Sequence, residues 1–329
     1  GISRLGQYLC VAFMALAIAA CGDINTTSKT PDNTAAKTTD KPADKTVSAP
    51  ESAPTKVIAY YMGDGTDLAR YDFKHLNGNQ LAFDNEQDQQ AFARLVALKK
   101  DYPHLKVMLS LGGWGGCETC SDVFNNAENR TAFAQSTRAI VQKYQGDGID
   151  LDWEYPTVSG YPGHKFADYD RDNFSALIQA LRSEFGSSYE LSFAAGGFDL
   201  FLETAVDWDV IMPLLDNVNI MSYDLINGFS TQTGHHTALY STPEQKDSTD
   251  NAVQFLLNKG VAPQKIVIGA AFYARVWKDV EATNNGLYQA GTHIPGHDFK
   301  DFAQQFSAGE GYEYHWDDIA KAPTFYSAK

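Results

Sequence analysis

The feature that most narrows what this chain can fold into is the stretch Asp147-Gly-Ile-Asp-Leu-Asp-Trp-Glu-Tyr-Pro156. It alternates with period two. Asp150, Asp152 and Glu154 share one face, and Ile149, Leu151 and Trp153 share the other, which is the pattern of a strand. Successive carboxylates on that face lie roughly 6.6 Å apart, two residues of strand rise. Charges that close repel and raise at least one pKa. A surface strand would interleave Lys or Thr. One reading is a half-buried strand with a wet acidic face. The other is catalytic: the acids fall at the strand's C-terminal end, just before Tyr155-Pro156, and in an α/β barrel that end carries the chemistry.

The rest of the chain alternates around this strand. Apolar runs of strand length cover 56–62, 106–114, 189–197, 218–224 and 265–273. Helical patterns cover 85–105, 130–144, 171–185 and 251–259. Strands separated by helices predict βα units and a parallel barrel, and the 329 residues exceed the ~250 that such a barrel needs. After Trp277 the pattern changes to an aromatic-rich insertion over 278–326, with Tyr314-His-Trp316 and Tyr326.

The N-terminus reads as an export signal over 1–21. Arg4 precedes an apolar run over 9–20, too short for a spanning helix of about 20 residues. Ile18-Ala-Ala-Cys21 resembles a bacterial lipobox, with cleavage before Cys21 and lipid on its sulfur; an ordinary cleavage site with an incidental Cys is the alternative. The lipid anchor would hold the protein at a membrane, on the cell surface or in the periplasm. Residues 22–55 are rich in Thr, Lys, Ala, Pro and Asp and are expected to form a disordered tether. The chain opens without Met, so an N-terminal piece is expected to be missing.

A formal net charge of −15 argues against nucleic acid as a partner. Cys117-Glu-Thr-Cys120 has no second pair to close a tetrahedral zinc site. In an oxidising compartment it predicts a local disulfide, with a redox motif as the alternative. Adjacent side chains diverge, so His235-His236 predicts no metal site. No Gly-rich phosphate loop opens a helix, so no nucleotide cofactor is expected.

Asp147-x-x-Asp150-x-Asp152-x-Glu154-Tyr-Pro resembles the signature of family 18 glycoside hydrolases, the chitinases. Three further stretches resemble family motifs: Ser110-Leu-Gly-Gly113 on strand three, Met221-Ser-Tyr-Asp224 on strand six and Phe272-Tyr-Ala-Arg275 on strand seven. The resemblance spans roughly 56–326. It implies an α/β fold, a (β/α)8 TIM barrel with a small α+β insertion after strand seven, and no cofactor. The implied substrate is chitin or an N-acetylglucosamine oligosaccharide, cut with retention by attack of the sugar's own 2-acetamido oxygen. On this resemblance Glu154 is the general acid, and Asp152 orients the acetamido group and raises the acid's pKa. Asp150 shares a proton with Asp152, Tyr223 holds the acetamido oxygen, and Ser110 supports Asp150. Asp224, Met221, Tyr60, Trp114, Trp153, Tyr273 and Arg275 are candidates for lining the cleft. Other readings on the same barrel are a carbohydrate-binding lectin, an inactive relic, or an endo-β-N-acetylglucosaminidase acting on glycans or peptidoglycan. The presence of Glu154 disfavours the lectin. Two strands are in doubt. No apolar run of strand length follows residue 76, where Leu81-Ala-Phe83 is a minimal candidate for strand two. The family's eighth strand and its cleft-floor Trp are expected to lie outside the chain.

Overall fold

A computed structural model describes residues 11–17, 56–61, 86–306 and 308–328. In chain order the elements are β1 (Val11–Ala17), β2 (Lys56–Tyr61), α1 (Glu86–Ala97), β3 (Lys106–Gly112), α2 (Cys120–Phe124), α3 (Ala127–Lys143) and β4 (Gly148–Asp152). There follow α4 (Asp170–Phe185), β5 (Glu190–Gly196), α5 (Asp199–Thr204), α6 (Trp208–Ile211), β6 (Asn217–Met221), α7 (Thr249–Asn258) and β7 (Ile266–Ile268). Beyond them lie β8 (Tyr273–Lys278), β9 (Thr292–Asp298), α8 (Phe302–Gln305), β10 (Glu313–Asp317) and β11 (Ala322–Tyr326).

The apolar periodicities set the layers. On α4, Phe174, Leu177, Ile178, Leu181 and Phe185 fall on one stripe and are all buried, as a helix packed on a sheet requires. Asn126 and Ser248 cap α3 and α7 by accepting the backbone N–H groups of Asn129 and Asn251, satisfying donors that the first helical turn leaves orphaned. Between sheet and helices runs a chain of rings: Phe124, Trp153, Phe174, Phe193 and Trp208, with successive centroids 5.9, 6.3, 5.3 and 5.7 Å apart. Such tilted contacts add to the area they bury.

The sheet has the order β2-β1-β3-β4-β5-β6-β7. From β3 to β7 every pairing is parallel. β1 is antiparallel to both β2 and β3, so β2 runs in the same direction as the parallel set, one strand's width away from β3. This is the slot where the sequence lacks a second apolar strand. The segment in it belongs to the stretch read above as an export signal. A cleaved leader cannot also pair in the sheet, so the two readings exclude one another in a mature molecule. Leu81-Ala-Phe83, Cys21 and the 22–55 tether lie outside the described residues.

The sheet is curled. From β2, Lys56 donates to Asn217 at the start of β6 (3.1 Å), and the Tyr60 hydroxyl accepts from Asn219 (3.2 Å). Across a flat sheet of this order those strands would stand far apart. The N-terminal ends of the strands are closed by charge. Lys56 and Lys106 both pair with Glu190. Asp147 takes Lys99 (2.9 Å) and the Val107 N–H (2.7 Å), and Asp216 takes Arg182 and the Leu191 N–H (both 2.8 Å).

Two differences from the expected boundaries bear on the site. The strand expected over 265–273 stops at Ile268, because the Ser222 hydroxyl donates to the Gly269 carbonyl (2.8 Å) and accepts its N–H (3.0 Å), and no neighbouring strand takes those groups. The aromatic lobe accordingly begins at Tyr273, where β8 pairs antiparallel with β9; β10 and β11 form its second hairpin. Among the described residues the far edge of β7 is unpaired, and Ile268 is 56% exposed.

Asp170, fully buried, organises the loop that follows the acidic strand. It accepts the Ser121 hydroxyl (2.7 Å) and the N–H groups of Thr157 (3.1 Å) and Ala167 (2.8 Å). Asp170→Ala strands three donors at about 1–3 kcal/mol each. It is expected to lower the unfolding free energy in urea by about 3 kcal/mol or more, with an unchanged m-value; a loss below 1 kcal/mol would contradict this anchoring.

Candidate active site

All five residues of β4 are buried, so its acidic face points into the barrel and not to water. Asp150, with no exposed surface, is met by one donor from each of four strands. Tyr60 (3.5 Å) on β2 and Ser110 (2.9 Å) on β3 reach Oδ2; Ser192 (2.8 Å) on β5 and Asn219 (3.3 Å) on β6 reach Oδ1. Burial pushes its pKa up to about 7, against the downward pull of Ser192, Ser110, Tyr60 and Asn219. Both oxygens are thus held by groups other than Asp152.

Asp152 is the next residue on that face. Burial raises its pKa well above the carboxylate range, and the charges of Glu154 and Asp150 add to this. Its Oδ1 is buried, with no hydrogen-bond partner among the described residues. Its backbone is held from β3: the Gly113 N–H donates to the Asp152 carbonyl at 2.7 Å. Gly112, at φ +112°, lies so close that a Cβ there would overlap the same carbonyl.

Glu154 follows the strand end. Burial raises its pKa to about 7 and the charge of Asp224 adds to this, while a hydrogen bond from Tyr155 opposes it. A carboxyl tuned there can give and take a proton near neutrality. A Cβ on Gly160 would overlap the Glu154 carbonyl, so the loop folds back over the acid only with glycine at that position.

Asp224, at the end of the run that carries β6, has the opposite tuning. Burial alone would raise its pKa, but the neighbouring His236, Arg275 and Tyr273 outweigh it and hold the group well below the carboxylate range. Arg275 Nε donates to Oδ1 and the Tyr273 hydroxyl to Oδ2, each at 2.7 Å. The Tyr273 hydroxyl and Arg275 Nε are therefore committed to Asp224. Burial and the charges of Asp152 and Glu154 raise the Tyr223 pKa, which keeps its phenol protonated beside both acids. Met221, half-buried, ends β6. Trp114 is 48% exposed and meets Tyr161 (5.4 Å) and the 68% exposed Phe229 (6.2 Å).

One candidate is corrected. Trp153 does not line the cleft: it is buried between Phe124 and Phe174, because alternation aims it away from Asp152 and Glu154. Cys117 and Cys120 form a disulfide just beyond Trp114. The rings of His235 and His236 diverge, to Asp317 and Asp224 respectively. Sequence reasoning missed Ser192 and Asn219. Their signal was a polar residue amid apolar neighbours on strands otherwise read as wholly buried, Leu191-Ser-Phe193 and Val218-Asn-Ile220.

Residues 39–329 match the profile of Glycosyl hydrolases family 18. The chain belongs to that family. Its fold is the family's (β/α)8 barrel. The chain is 32% identical over 259 residues to Chitinase A1 of Niallia circulans, a match covering 71% of this chain and 37% of that protein. It is 33% identical over 261 residues to the probable endochitinase of Orgyia pseudotsugata multicapsid polyhedrosis virus, covering 72% and 46%. It thus spans less than half the length of these relatives. Among solved structures, a family 18 N-acetylglucosaminidase from Paenibacillus barengoltzii superposes with a TM-score of 0.69 at 34% identity, covering 77% of this chain and 76% of that one. Chitinase ChiW from Paenibacillus sp. str. FPU-7 gives 0.67 at 39%, covering 74% and 29%.

The acid face has a stability signature. The folded pKa of Glu154, about 7, lies above that of an unfolded glutamate, about 4.3. Between these values the native state holds a proton that the unfolded chain has released, so its contribution is full below the lower value and lost as pH rises through 7. Glu154→Gln removes that penalty. It is expected to raise Tm over wild type by about 2 °C or more at pH 8 and to leave it unchanged at pH 4; equal Tm values at pH 8 would show that the carboxyl is not tuned upward.

Proposed function

We propose that the protein hydrolyses β-1,4-linked N-acetylglucosamine polymers, chitin or its oligosaccharides, with retention and with the substrate's acetamido oxygen as nucleophile. The observation that carries this is Asp152 Oδ1, a buried acceptor without a donor beside the proton-carrying Glu154. A buried acceptor left empty is costly, and a substrate amide N–H is the donor that fits it. Asp150 and Asp224 have their oxygens held by other side chains, so neither is available to attack the sugar. The relatives named chitinase and N-acetylglucosaminidase share that sugar unit.

In the reaction, Glu154 gives its proton to the leaving glycosidic oxygen as the C1–O bond breaks. The acetamido oxygen closes on C1 to form an oxazolinium ion. Asp152 accepts the amide N–H at the oxygen that has no other donor among the described residues, and Tyr223 holds the acetamido oxygen. The Glu154 carboxylate then takes a proton from the water that attacks C1, which opens the ring with net retention. Trp114 supplies an exposed face on which a sugar can stack. The substrate dependence is the test. An N-acetylglucosamine oligomer should be cut and a cello-oligomer of equal length should not, measured by product chromatography; comparable rates on both would refute the mechanism.

The lipobox adds a second reading, a lipoprotein anchored through Cys21 at a bacterial membrane and reaching an insoluble polymer on the 22–55 tether; it requires the 11–17 strand to leave the sheet on cleavage. ChiW is described as cell-surface-expressed, which supports an exported setting. Cys21→Ser should move the protein from the membrane to the soluble fraction. If wild type and mutant fractionate alike, the anchor is refuted.

A further inference from the structure

Asp224 stands beside Glu154, yet its backbone sits at φ +53°, a region that non-glycine residues enter at a cost of about 1 kcal/mol. The neighbour that holds it there is His236. The Asp224 N–H points at His236 Nδ1 (3.2 Å), and His236 Nε2 lies 3.1 Å from the Tyr273 carbonyl. An N–H needs an acceptor and a carbonyl needs a donor, so both hydrogen bonds are made at once in one state, neutral imidazole with its proton on Nε2; Asp224 Oδ1 stands farther off, 3.6 Å from Nδ1. One ring thereby grips the main chain of the two residues whose side chains grip each other, Tyr273 hydroxyl to Asp224 Oδ2. The ring also lies against the Tyr273 ring at 5.2 Å.

His236 is itself held in place. Its neighbour His235 is buried and faces the other way, with Nε2 2.9 Å from Asp317 on β10. The His235 N–H donates to Gln245 Oε1 (2.9 Å), and its carbonyl accepts from Gln245 Nε2 (2.8 Å). Asp317 also accepts the N–H groups of Ile319 and Ala320. The histidine pair therefore joins the lobe on one side to the cleft on the other.

We infer that His236 is a positioning residue for the hydrolysis, acting through the Asp224 main chain, with His235 and Asp317 fixing its place from the lobe. This rests on the hydrolytic reading above. Two amides separate its hydrogen bonds by shape: asparagine Oδ1 falls near the position of imidazole Nδ1, and glutamine Nε2 near that of Nε2. His236→Asn keeps the acceptor for the Asp224 N–H, and His236→Gln keeps only the donor to Tyr273.

The experiment has two arms. Nitrogen NMR of the histidine side chains in the full chain at neutral pH is expected to show Nε2 protonated and Nδ1 bare for His236. An imidazolium or the opposite tautomer overturns the inference, and this arm decides it whether or not the enzyme turns over. The second arm measures kcat and KM for an N-acetylglucosamine oligomer. His236→Gln and His236→Ala are expected to lose about tenfold or more in kcat with little change in KM, and His236→Asn about threefold or less. Equal losses in Asn and Gln variants of matched Tm, or a loss confined to KM, overturn it. A wild type that cuts no such oligomer overturns the hydrolytic reading instead.

Discussion

Burying a carboxylate is costly, and burying three in sequence is more so, unless the surroundings are built to receive them. Asp150 is the innermost, and the barrel's register follows from it. Each of four strands brings one hydroxyl or amide to the same carboxyl: Tyr60, Ser110, Ser192 and Asn219. A slip of one residue in any of those strands would turn its donor to the outer face and leave the carboxyl short of a partner. The donor ring also explains why β2 curls across the barrel toward β6, since Tyr60 bridges Asp150 and Asn219.

From that anchor the electrostatics diverge along the strand. Asp150 has four donors, Asp152 Oδ1 has none, and Glu154 has Tyr155 beside it. Asp224 supplies the contrast, kept ionised by Arg275 and Tyr273. One carboxyl stays charged and its neighbour is pushed up to about 7, which is how groups of the same chemistry take opposite proton states at one pH. The split depends on the lobe, because Arg275 and Tyr273, two of the three residues that hold Asp224, lie on β8.

The acidic strand, the helical stripes and three motif regions could be read from sequence because period and spacing are local properties. Ser110 beside Asp150, and Asp224 beside Arg275, needed the motifs to be read as parts of one barrel. Trp153 was misplaced when its aromatic character was weighed above its alternation. The short β7 escaped because the apolar run 265–273 continues past the point where Ser222 takes over the backbone hydrogen bonds. Ser192 and Asn219 each look like an isolated polar residue in an apolar strand; only the assembled sheet shows that they converge. His236 was harder still, because its role lies in main-chain contacts that no side-chain pattern records.

The charged groups at the N-terminal ends of the strands, Lys56, Lys106 and Glu190 together with Asp147 and Asp216, stand at the opposite mouth of the barrel from Glu154. The same strands thus carry durability at one end and chemistry at the other. The two ends are joined inside the barrel by a hydrogen-bonded chain: Lys56 donates to Asn217, Asn217 to Asn219 and Asn219 to Asp150. Selection, or an engineer, that redesigns the lower mouth for heat or salt tolerance must therefore spare Lys56, because its chain of amides ends on the innermost acid.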